Sequence, residues 1–128
     1  MKYLLDTHSL LWVTSDSKRI SDRVKRIYRN ESYEIFFSAA SIWELAIKIS
    51  LKKLSINQEL SLFVKEHIID NNIQILKVIP IHLYPVQSLP FHHRDPFDRL
   101  LVAQCLTENI TLISKDKVFD KYSIKRVW

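Results

Sequence analysis

The stretch HHRDPFDRLLVAQCLTENITLIS, from His92 to Ser114, places a capped helix directly before a buried strand. Asp95 precedes a proline, and aspartate followed by proline is a favoured helix start. The nearly all-apolar run that follows predicts a helix over PFDRLLVAQCLTE and a strand over ITLIS. A helix followed at once by an apolar strand is typical of a parallel sheet with helices on its faces.

The remainder of the chain shows the same alternation of helices and strands. Further strands are predicted over KYLLD, EIFFS, IQILKV and IKRVW. A helix is predicted over THSLLWV, and a second helix begins at about Ser21. Two further helices are predicted over AASIWELAIKISLKKL and NQELSLFVKEHII, and a short helical segment is predicted around His82–Ser88. Parallel strands joined by helical crossovers need a helical layer on each face of the sheet. We therefore expect one three-layer α/β/α domain over residues 1–128, with a mainly parallel central sheet.

The sequence contains no glycine, the residue that usually provides left-handed backbone at helix ends. Asparagine tolerates this conformation better than most residues. Four asparagines follow helix-like stretches and precede strand-like ones, and we expect them to end helices in the left-handed region: Asn30, Asn71, Asn72 and Asn109.

Composition narrows the possible functions. The formal net charge of +5 favours a polyanionic partner such as nucleic acid, and an acidic protein fits equally well. The one cysteine, Cys105, lies in an apolar helical run, which excludes an internal disulfide and indicates a small buried hydrophobe. No apolar run reaches the roughly 18 residues of a transmembrane helix, because Asp6 and His8 interrupt the N-terminal segment. We expect a cytoplasmic protein without a membrane partner.

Acidic residues follow the predicted strands. Ligands of open parallel sheets bind beyond the carboxyl ends of the strands, and Asp6, Glu44 and Asp116 all follow strands there, while Asp95 and Asp98 open the helix that leads into the strand ITLIS. Carboxylates gathered in one cleft repel one another unless a cation or protons neutralise them. Such oxygen ligands suit Mg²⁺ or Mn²⁺. The pattern therefore predicts metal-assisted hydrolysis of phosphodiester bonds.

The acids at this helix start and at the first strand also have ordinary structural interpretations. Asp95 can cap the helix, and Asp98, at its third position, can complete a pattern like a capping box. Asp98 nevertheless opens a helix that is apolar almost all round, which favours a metal ligand. Asp6 can be a turn residue, but an acid directly after a buried strand favours a ligand as well.

The remaining acids are similarly open to two interpretations. Glu44 can form a solvated pair with Lys48 one turn away, although its position between Trp43 and Leu45 in a buried-looking helix favours a ligand. Asp116 can simply cap the short helix KVFDKY.

Five segments carry a more specific signal by their order and spacing: LLDTHSLLW (Leu4–Trp12), SAASIWELAIKISLKKL (Ser38–Leu54), FHHRDPFDRLLVAQ (Phe91–Gln104), TLISKD (Thr111–Asp116) and the terminal VW. Together they resemble the PIN-domain nucleases, specifically the VapC-like toxins of type II toxin–antitoxin systems. The resemblance runs nearly end to end. It implies an α/β/α PIN fold, a Mg²⁺- or Mn²⁺-dependent ribonuclease acting on RNA, and a homodimer that a cognate antitoxin inhibits.

The resemblance also assigns roles to individual residues. Four positions match the four acids of the family's catalytic metal site: Asp6, Glu44, Asp98 and Asp116. Asp95 matches a further aspartate of the RDPFDR subgroup, which would cap the helix or support the metal ligands. Thr7 and Ser114 match hydroxyl residues that could orient a carboxylate or a water molecule. Relatives often carry glycine where this chain has Lys52 and Asn109, and we expect Lys52 to lie in a differently shaped turn because it is poorly suited to left-handed backbone.

Basic and aromatic residues outside the acidic group have weaker implications. His92, His93 and Arg94 are candidate contacts to RNA phosphates or simply a polar loop. The basic residues between Lys18 and Arg29 favour a solvated helix face over a surface that RNA approaches. Three large aromatic residues at helical spacing are expected in the core or a dimer interface: Trp12, Trp43 and Phe63.

Two other functions remain open from the sequence. The first is a catalytically inactive PIN-like module that binds RNA or protein, although an inactive protein would be free to lose the four acids. The second is another metal-dependent phosphohydrolase with Asp6 as a covalent nucleophile. That chemistry usually uses a second acid two residues later, where this chain has His8.

Overall fold

The computed structural model describes all residues from 1 to 128. The five strands are β1 (Lys2–Leu5), β2 (Glu34–Ser38), β3 (Gln74–Leu76), β4 (Thr111–Ile113) and β5 (Arg126–Val127). The six α-helices are α1 (Thr7–Thr14), α2 (Asp22–Arg29), α3 (Ala39–Ser50), α4 (Leu60–His67), α5 (Pro80–Leu83) and α6 (Pro96–Glu108). Short 3₁₀ helices cover Ile69–Asn71, Tyr84–Ser88 and Lys117–Lys121. None of the helices is long and apolar enough to cross a lipid bilayer.

The strands form one sheet in the order β3-β2-β1-β4-β5, and every neighbouring pair is parallel. The predicted α/β/α architecture with a mainly parallel sheet is confirmed. Because all strands run in the same direction, their carboxyl ends lie along one edge. The central strand β1 therefore ends in the middle of that edge, next to the ends of β2 and β4.

Side chains of β1 alternate between two apolar clusters, one on each face of the sheet. Tyr3 and Leu5 belong to a cluster of 14 buried residues that includes members of α1, α2, α3 and α4. Leu4 belongs to a second cluster of 8 buried residues, formed largely with α6. Alternating strand residues point to opposite faces, so these clusters are the two interfaces of the three layers. Burial raises the pKa of the Cys105 thiol in α6 to about 12, as suits an inert core residue.

The left-handed turns only partly match the sequence prediction. Asn72 (φ 59°) and Asn109 (φ 52°) do adopt left-handed backbone. The predictions for Asn30 and Asn71 were wrong, because Asn30 is extended with φ −86° and Asn71 lies within a 3₁₀ helix. Asn30 instead folds its side chain over the turn and accepts hydrogen bonds from the backbone and hydroxyl of Ser32.

Lys52 adopts left-handed backbone with φ 56°, so the expectation of a differently shaped turn was wrong. Its N–H donates to the carbonyl of Ile49, and the N–H of Lys53 donates to the carbonyl of Lys48. This pair of bonds is the Schellman motif that ends helices with one left-handed residue. The hydrogen bonds that it supplies to the last carbonyls of α3 offset the steric cost of a side chain at this position.

Candidate active site

A cleft of about 150 Å³ at the carboxyl edge of the sheet collects all five acids that the sequence singled out. The lining contains one hydrophobic residue and is otherwise polar: Asp6, Thr7, His8, Glu44, Lys48, Asp95, Asp98, Asp116 and Phe119. The acids come from four separate parts of the chain, which the parallel topology brings to one edge.

Asp6 lies where β1 passes into α1. Its backbone N–H pairs with the carbonyl of Ile113 in β4, and its carboxylate caps α1 by accepting from the N–H of Ser9 at 2.8 Å. The side chain is 8% exposed. Burial raises the pKa of Asp6, although hydrogen bonds from Ser114 and Ser9 act in the opposite direction. Asp6 is therefore a buried carboxyl group on a rigid strand end, with Ser114 beside it.

Glu44 enters the cleft from α3. The Thr7 hydroxyl donates to Glu44 Oε1 at 2.6 Å, and Lys48 Nζ lies 3.0 Å from Glu44 Oε2. Glu44 thus pairs with Lys48 and also lines the acidic cleft, and its role as a metal ligand stays a prediction. The fixed orientation of this carboxylate comes from a hydroxyl at the start of α1.

Asp95 and Asp98 occupy the first turn of α6. Asp95 is the N-cap, with its carboxylate accepting from the N–H of Phe97 at 2.8 Å. The pKa of Asp98 is raised to about 7, chiefly by burial and then by the negative charge of Asp95, with further contributions from Glu44 and Asp6 and an opposing effect of His93. A positive charge in the cleft would reverse this shift and favour the ionised carboxylate.

Asp116 follows β4 and caps the 3₁₀ helix Lys117–Lys121. Its Oδ1 accepts from the N–H of Val118 at 2.9 Å, and its Oδ2 lies 2.7 Å from His93 Nε2. Partial burial acts to raise the pKa of Asp116, but the hydrogen bonds from His93 and Val118 outweigh it and hold the pKa below its usual value. The Ser114 hydroxyl accepts from the backbone N–H of Asp116 at 3.1 Å, so this serine touches the segment that carries the carboxylate.

The three candidate RNA contacts lie in different surroundings. His92 is exposed and packs edge-on against Tyr122. His93 has a side chain only 9% exposed, and both of its ring nitrogens already have protein partners. Arg94 is exposed at the border of a neighbouring groove. Among the three, only His92 and Arg94 offer an exposed side chain to a phosphate.

The groove beside the cleft combines apolar and basic side chains. It shares Glu44, Lys48 and Asp95 with the cleft, and its other lining residues are Ile47, Leu51, Lys53, Arg94, Pro96 and Phe97. Cationic side chains next to apolar surface suit a nucleic-acid strand, whose phosphates and bases need both. The sequence analysis recognised Lys48 only as a partner of Glu44 and passed over Lys53, although both lie on or just after α3 at a distance of one or more turns from Glu44.

The three aromatic residues expected in the core or an interface differ in burial. Phe63 is buried in the larger apolar cluster, and Trp12 is half-buried against it. Trp43 is 63% exposed and contacts Phe97 edge-on, with ring centroids 5.3 Å apart. Trp43 is therefore the member of this set that is accessible to another molecule.

The donor set fits a hydrated divalent cation. No three His, Cys, Asp or Glu side chains converge closely enough to form a closed metal cage. Mg²⁺ does not need one, because it keeps several waters and binds proteins through one or two carboxylates. The cleft supplies carboxylate oxygens without sulfur ligands, and a nearby cation would offset the burial and the neighbouring negative charge that raise the pKa of Asp98. These are the properties of an open site for a hard cation.

Comparisons with known proteins agree with this fold. A family model described as "PIN domain" matches residues 3–125. VapBC2 from Rickettsia felis, solved with a promoter DNA fragment, is 17% identical with a TM-score of 0.72, covering 100% of this chain and 99% of that chain. A DNA-bound VapBC from Salmonella typhimurium is 17% identical with a TM-score of 0.70 and coverages of 99% and 97%. VapBC-1 from nontypeable Haemophilus influenzae is 18% identical with a TM-score of 0.66 and the same coverages. No curated protein sequence matches the chain.

Proposed function

The chain belongs to the PIN-domain family, a family of nucleases, and from that premise we propose that it is a metal-dependent endoribonuclease and the toxin of a toxin–antitoxin pair. The observation that carries the proposal is the meeting of Asp6, Glu44, Asp98 and Asp116 in one cleft at the carboxyl edge of the sheet. Four carboxyl groups from separate segments would oppose folding unless a cation compensated them. Their joint presence therefore supports a site for Mg²⁺ or Mn²⁺.

In this proposal, the side chains of the cleft have different roles in phosphodiester hydrolysis. A divalent cation, when bound by the four acids, supplies charge neutralisation at the phosphate and a more acidic water. A bound cation would favour the ionised form of Asp98, whose pKa is raised chiefly by burial and then by neighbouring negative charge. Thr7 keeps Glu44 in one orientation, and Ser114 does the same for the segments of Asp6 and Asp116. Lys48 places a positive charge beside the acids, where it can attract a phosphate.

RNA would approach along the groove that continues from the cleft. Lys53 and Arg94 contribute positive charge for the phosphates, while Leu51 and Phe97 provide apolar surface for a base. His92 is exposed at the same end of α6 and is a further candidate contact, whereas His93 is engaged with Asp116. The net charge of +5 supports an RNA substrate in general and selects no particular sequence.

The protein partner in this proposal is a cognate antitoxin. Three of the solved structures that share the fold are of VapBC, which supports such a partner for this chain. The tail of the antitoxin would occupy the acidic cleft and block access of RNA to it. We also propose that the domain over residues 1–128 acts in the cytoplasm as a homodimer, with the exposed Trp43 as a candidate interface residue. Light scattering checks the assembly, and a monomer at micromolar concentration would contradict it.

An inactive module that binds RNA or protein is the second candidate. One observation favours it: the acids do not converge into a set of three, and Glu44 and Asp116 already have protein partners. The presence of all four acids in one cleft favours the nuclease. The two candidates differ in one measurable property, which is metal-dependent cleavage.

The test is cleavage of labelled total RNA and tRNA with Mg²⁺ or Mn²⁺, with and without EDTA. The wild type is compared with Asp6→Asn and Asp98→Asn, and with Asp16→Asn as a control because Asp16 is an exposed turn residue outside the lining of the cleft. We expect metal-dependent cutting in the wild type and in the control, and loss in both cleft variants. No cutting by folded, antitoxin-free wild type with either metal would favour the binding module.

A further inference from the structure

We propose that His93 is a positioning residue that holds the Asp116 carboxylate in the cleft, and that Tyr122 fixes the imidazole tautomer that this requires. The inference rests on the proposed function, because it assigns a role within the same acidic site. It concerns two residues that lie outside the set of acids and that the sequence analysis did not connect. His93 precedes α6, and Tyr122 follows the 3₁₀ helix Lys117–Lys121.

Three short contacts link these residues. The backbone N–H of His93 donates to the Tyr122 hydroxyl at 2.9 Å. The same hydroxyl lies 3.1 Å from His93 Nδ1, and His93 Nε2 lies 2.7 Å from Asp116 Oδ2. The rings of His93 and Tyr122 are nearly parallel, with an interplanar angle of 9° and centroids 5.6 Å apart. The chain of contacts therefore runs from a backbone amide through a phenol and an imidazole to a carboxylate.

The direction of each hydrogen bond follows from the donors that are available. The Tyr122 oxygen accepts from the backbone N–H of His93, which leaves its own proton to be donated to His93 Nδ1. A neutral imidazole that accepts at Nδ1 carries its proton on Nε2. That proton is the one that faces Asp116, and a carboxylate can only accept. The carboxylate therefore requires the proton on Nε2, and the tyrosine hydroxyl supports this tautomer by donating to Nδ1.

Burial makes this arrangement rigid. The side chain of His93 is 9% exposed and Tyr122 is 6% exposed, whereas the Asp116 side chain is 43% exposed. Phe119 packs against His93 with ring centroids 4.4 Å apart. Without His93, the carboxylate of Asp116 would retain only the Val118 N–H, and a half-exposed side chain on a turn would be free to change rotamer. The imidazole thus connects an accessible carboxylate to the core.

The hydrogen bonds leave Asp116 able to bind a cation. A carboxylate has about four acceptor sites, and the contacts to Val118 and His93 use one on each oxygen. One site per oxygen remains. The arrangement resembles the outer hydrogen bonds that orient ligands in metal proteins, whose loss typically weakens metal affinity by about 10- to 100-fold.

The first test reads the tautomer directly in the metal-free protein by ¹H–¹⁵N NMR of the histidine rings. We expect His93 to carry its proton on Nε2 in the wild type. Tyr122→Phe removes the phenolic proton, and we expect it to give a mixture of tautomers at His93. Tyr84→Phe is the matched control, because Tyr84 is 66% exposed, and it should leave the His93 signals unchanged. A proton on Nδ1 of His93 in the wild type would overturn the inference.

The second test measures Mn²⁺ binding by calorimetry in the full chain. His93→Gln can place an amide N–H near the position of Nε2, whereas the shorter side chain in His93→Asn cannot reach Asp116. We expect His93→Asn to bind Mn²⁺ at least about tenfold more weakly than the wild type, with His93→Gln recovering most of the affinity. His67→Asn, at the end of α4 and outside the lining of the cleft, is the control, with near wild-type affinity.

The outcomes separate the inference from the proposed function. Wild type that binds no Mn²⁺ would contradict the metal site, while the NMR measurement would still decide the His93 tautomer. Wild type and His93→Asn with equal affinity would overturn the positioning role of His93, even if the nuclease were confirmed. Equal weakening in His93→Asn and His93→Gln would also overturn it, because only a donor at the Nε2 position distinguishes these two variants.

Discussion

The Thr7 hydroxyl lies 2.6 Å from Glu44 Oε1 and joins the start of α1 to the middle of α3. Thr7 is 5% exposed and Glu44 is 9% exposed, so the bond is shielded from water. Lys48 reaches the other oxygen of the same carboxylate at 3.0 Å. Glu44 is therefore held from both sides, once by a neutral donor on a neighbouring element and once by a cation on its own helix.

The first prediction concerns this hydroxyl. Thr7→Val keeps the shape of the side chain but removes the donor, so Glu44 loses its orientation in a buried site. We expect RNA cleavage to fall by about 10- to 100-fold, with the half-saturating metal concentration rising. Cleavage rates measured across a Mn²⁺ titration check this. Thr7→Ser is the matched control, since it retains a hydroxyl, and a loss of activity equal to that of Thr7→Val would show that the hydrogen bond is not the cause.

The second prediction is a pH dependence of stability in the metal-free protein. The pKa of Asp98 is raised from the model-peptide value of 3.8 to about 7. Between these values the folded state binds a proton that the unfolded state has released, so this contribution to stability is present at low pH and is lost as pH rises towards 7. In EDTA, we expect the melting temperature of Asp98→Asn to exceed that of the wild type at pH 8 and the difference to shrink towards pH 4.

Thermal unfolding at several pH values between 4 and 8 provides the measurement. Asp16→Asn serves as the control, because Asp16 is exposed and outside the cleft. Added Mn²⁺ should raise the melting temperature of the wild type at pH 8 and have a smaller effect on Asp98→Asn, since a ligand that binds only the folded state stabilises it. A difference between wild type and Asp98→Asn that stays constant across this pH range would contradict the prediction.

Local sequence signals predicted the parts of the molecule that depend on neighbouring residues. Asp95 before Pro96 predicted the start of α6, and the apolar run after Pro96 predicted a buried helix. The strand β2 has the predicted bounds because EIFFS has an apolar centre and ends at Ser38, which is the N-cap of α3. Such features depend on backbone preferences and capping within a few residues, which a sequence displays directly.

The same signals failed where a distant contact decides the outcome. The sequence predicted a strand over IQILKV, but the observed strand β3 covers only Gln74–Leu76. This strand lies at the edge of the sheet and pairs with β2 alone. Asp116 was recognised as an acid, but its partner His93 is 23 residues away and belongs to a different turn. Nothing local to HHR distinguishes a histidine that binds a carboxylate from one that faces solvent, which is the difference between His93 and His92.

The third prediction concerns the basic residues of the groove. Arg94→Ala and Lys53→Ala each remove one cation, and we expect RNA affinity to fall while the slope of log affinity against log salt decreases by about one. Fluorescence anisotropy with labelled RNA in an Asp98→Asn background measures binding without cleavage. Lys65→Ala is the control, because Lys65 is exposed and pairs with Asp70 away from the groove. An unchanged salt slope in both groove variants would show that RNA follows another path.

His92 can be tested by the same measurement. Its exposed ring at the start of α6 makes it a candidate phosphate contact, and His92→Ala should weaken RNA binding to a lesser extent than Arg94→Ala, since a neutral imidazole offers a hydrogen bond without a full charge. Equal affinities of His92→Ala and its Asp98→Asn parent across the salt series would remove His92 from the set of contacts.

The last prediction concerns Arg99, which anchors the segment that leads to the site. Arg99 is 5% exposed and donates to the carbonyls of Val86, Leu89 and Pro90 at 2.9–3.1 Å. Its guanidinium also lies 4.0 Å from the ring centroid of Phe91. No carboxylate pairs with this buried cation, and its planar fork of donors is instead matched to three backbone carbonyl groups.

Arg99→Met keeps much of the volume but removes these three hydrogen bonds, and we expect the free energy of unfolding to fall by about 3 kcal/mol. Urea denaturation measures the change. Lys121→Met, at an exposed position on the 3₁₀ helix Lys117–Lys121, is the matched control and should change stability by less than about 0.5 kcal/mol. Because the anchored loop continues into His92–Asp95, Arg99→Met should also weaken Mn²⁺ binding under conditions where the protein remains folded. A stable variant with unchanged Mn²⁺ affinity would show that this loop needs no anchor.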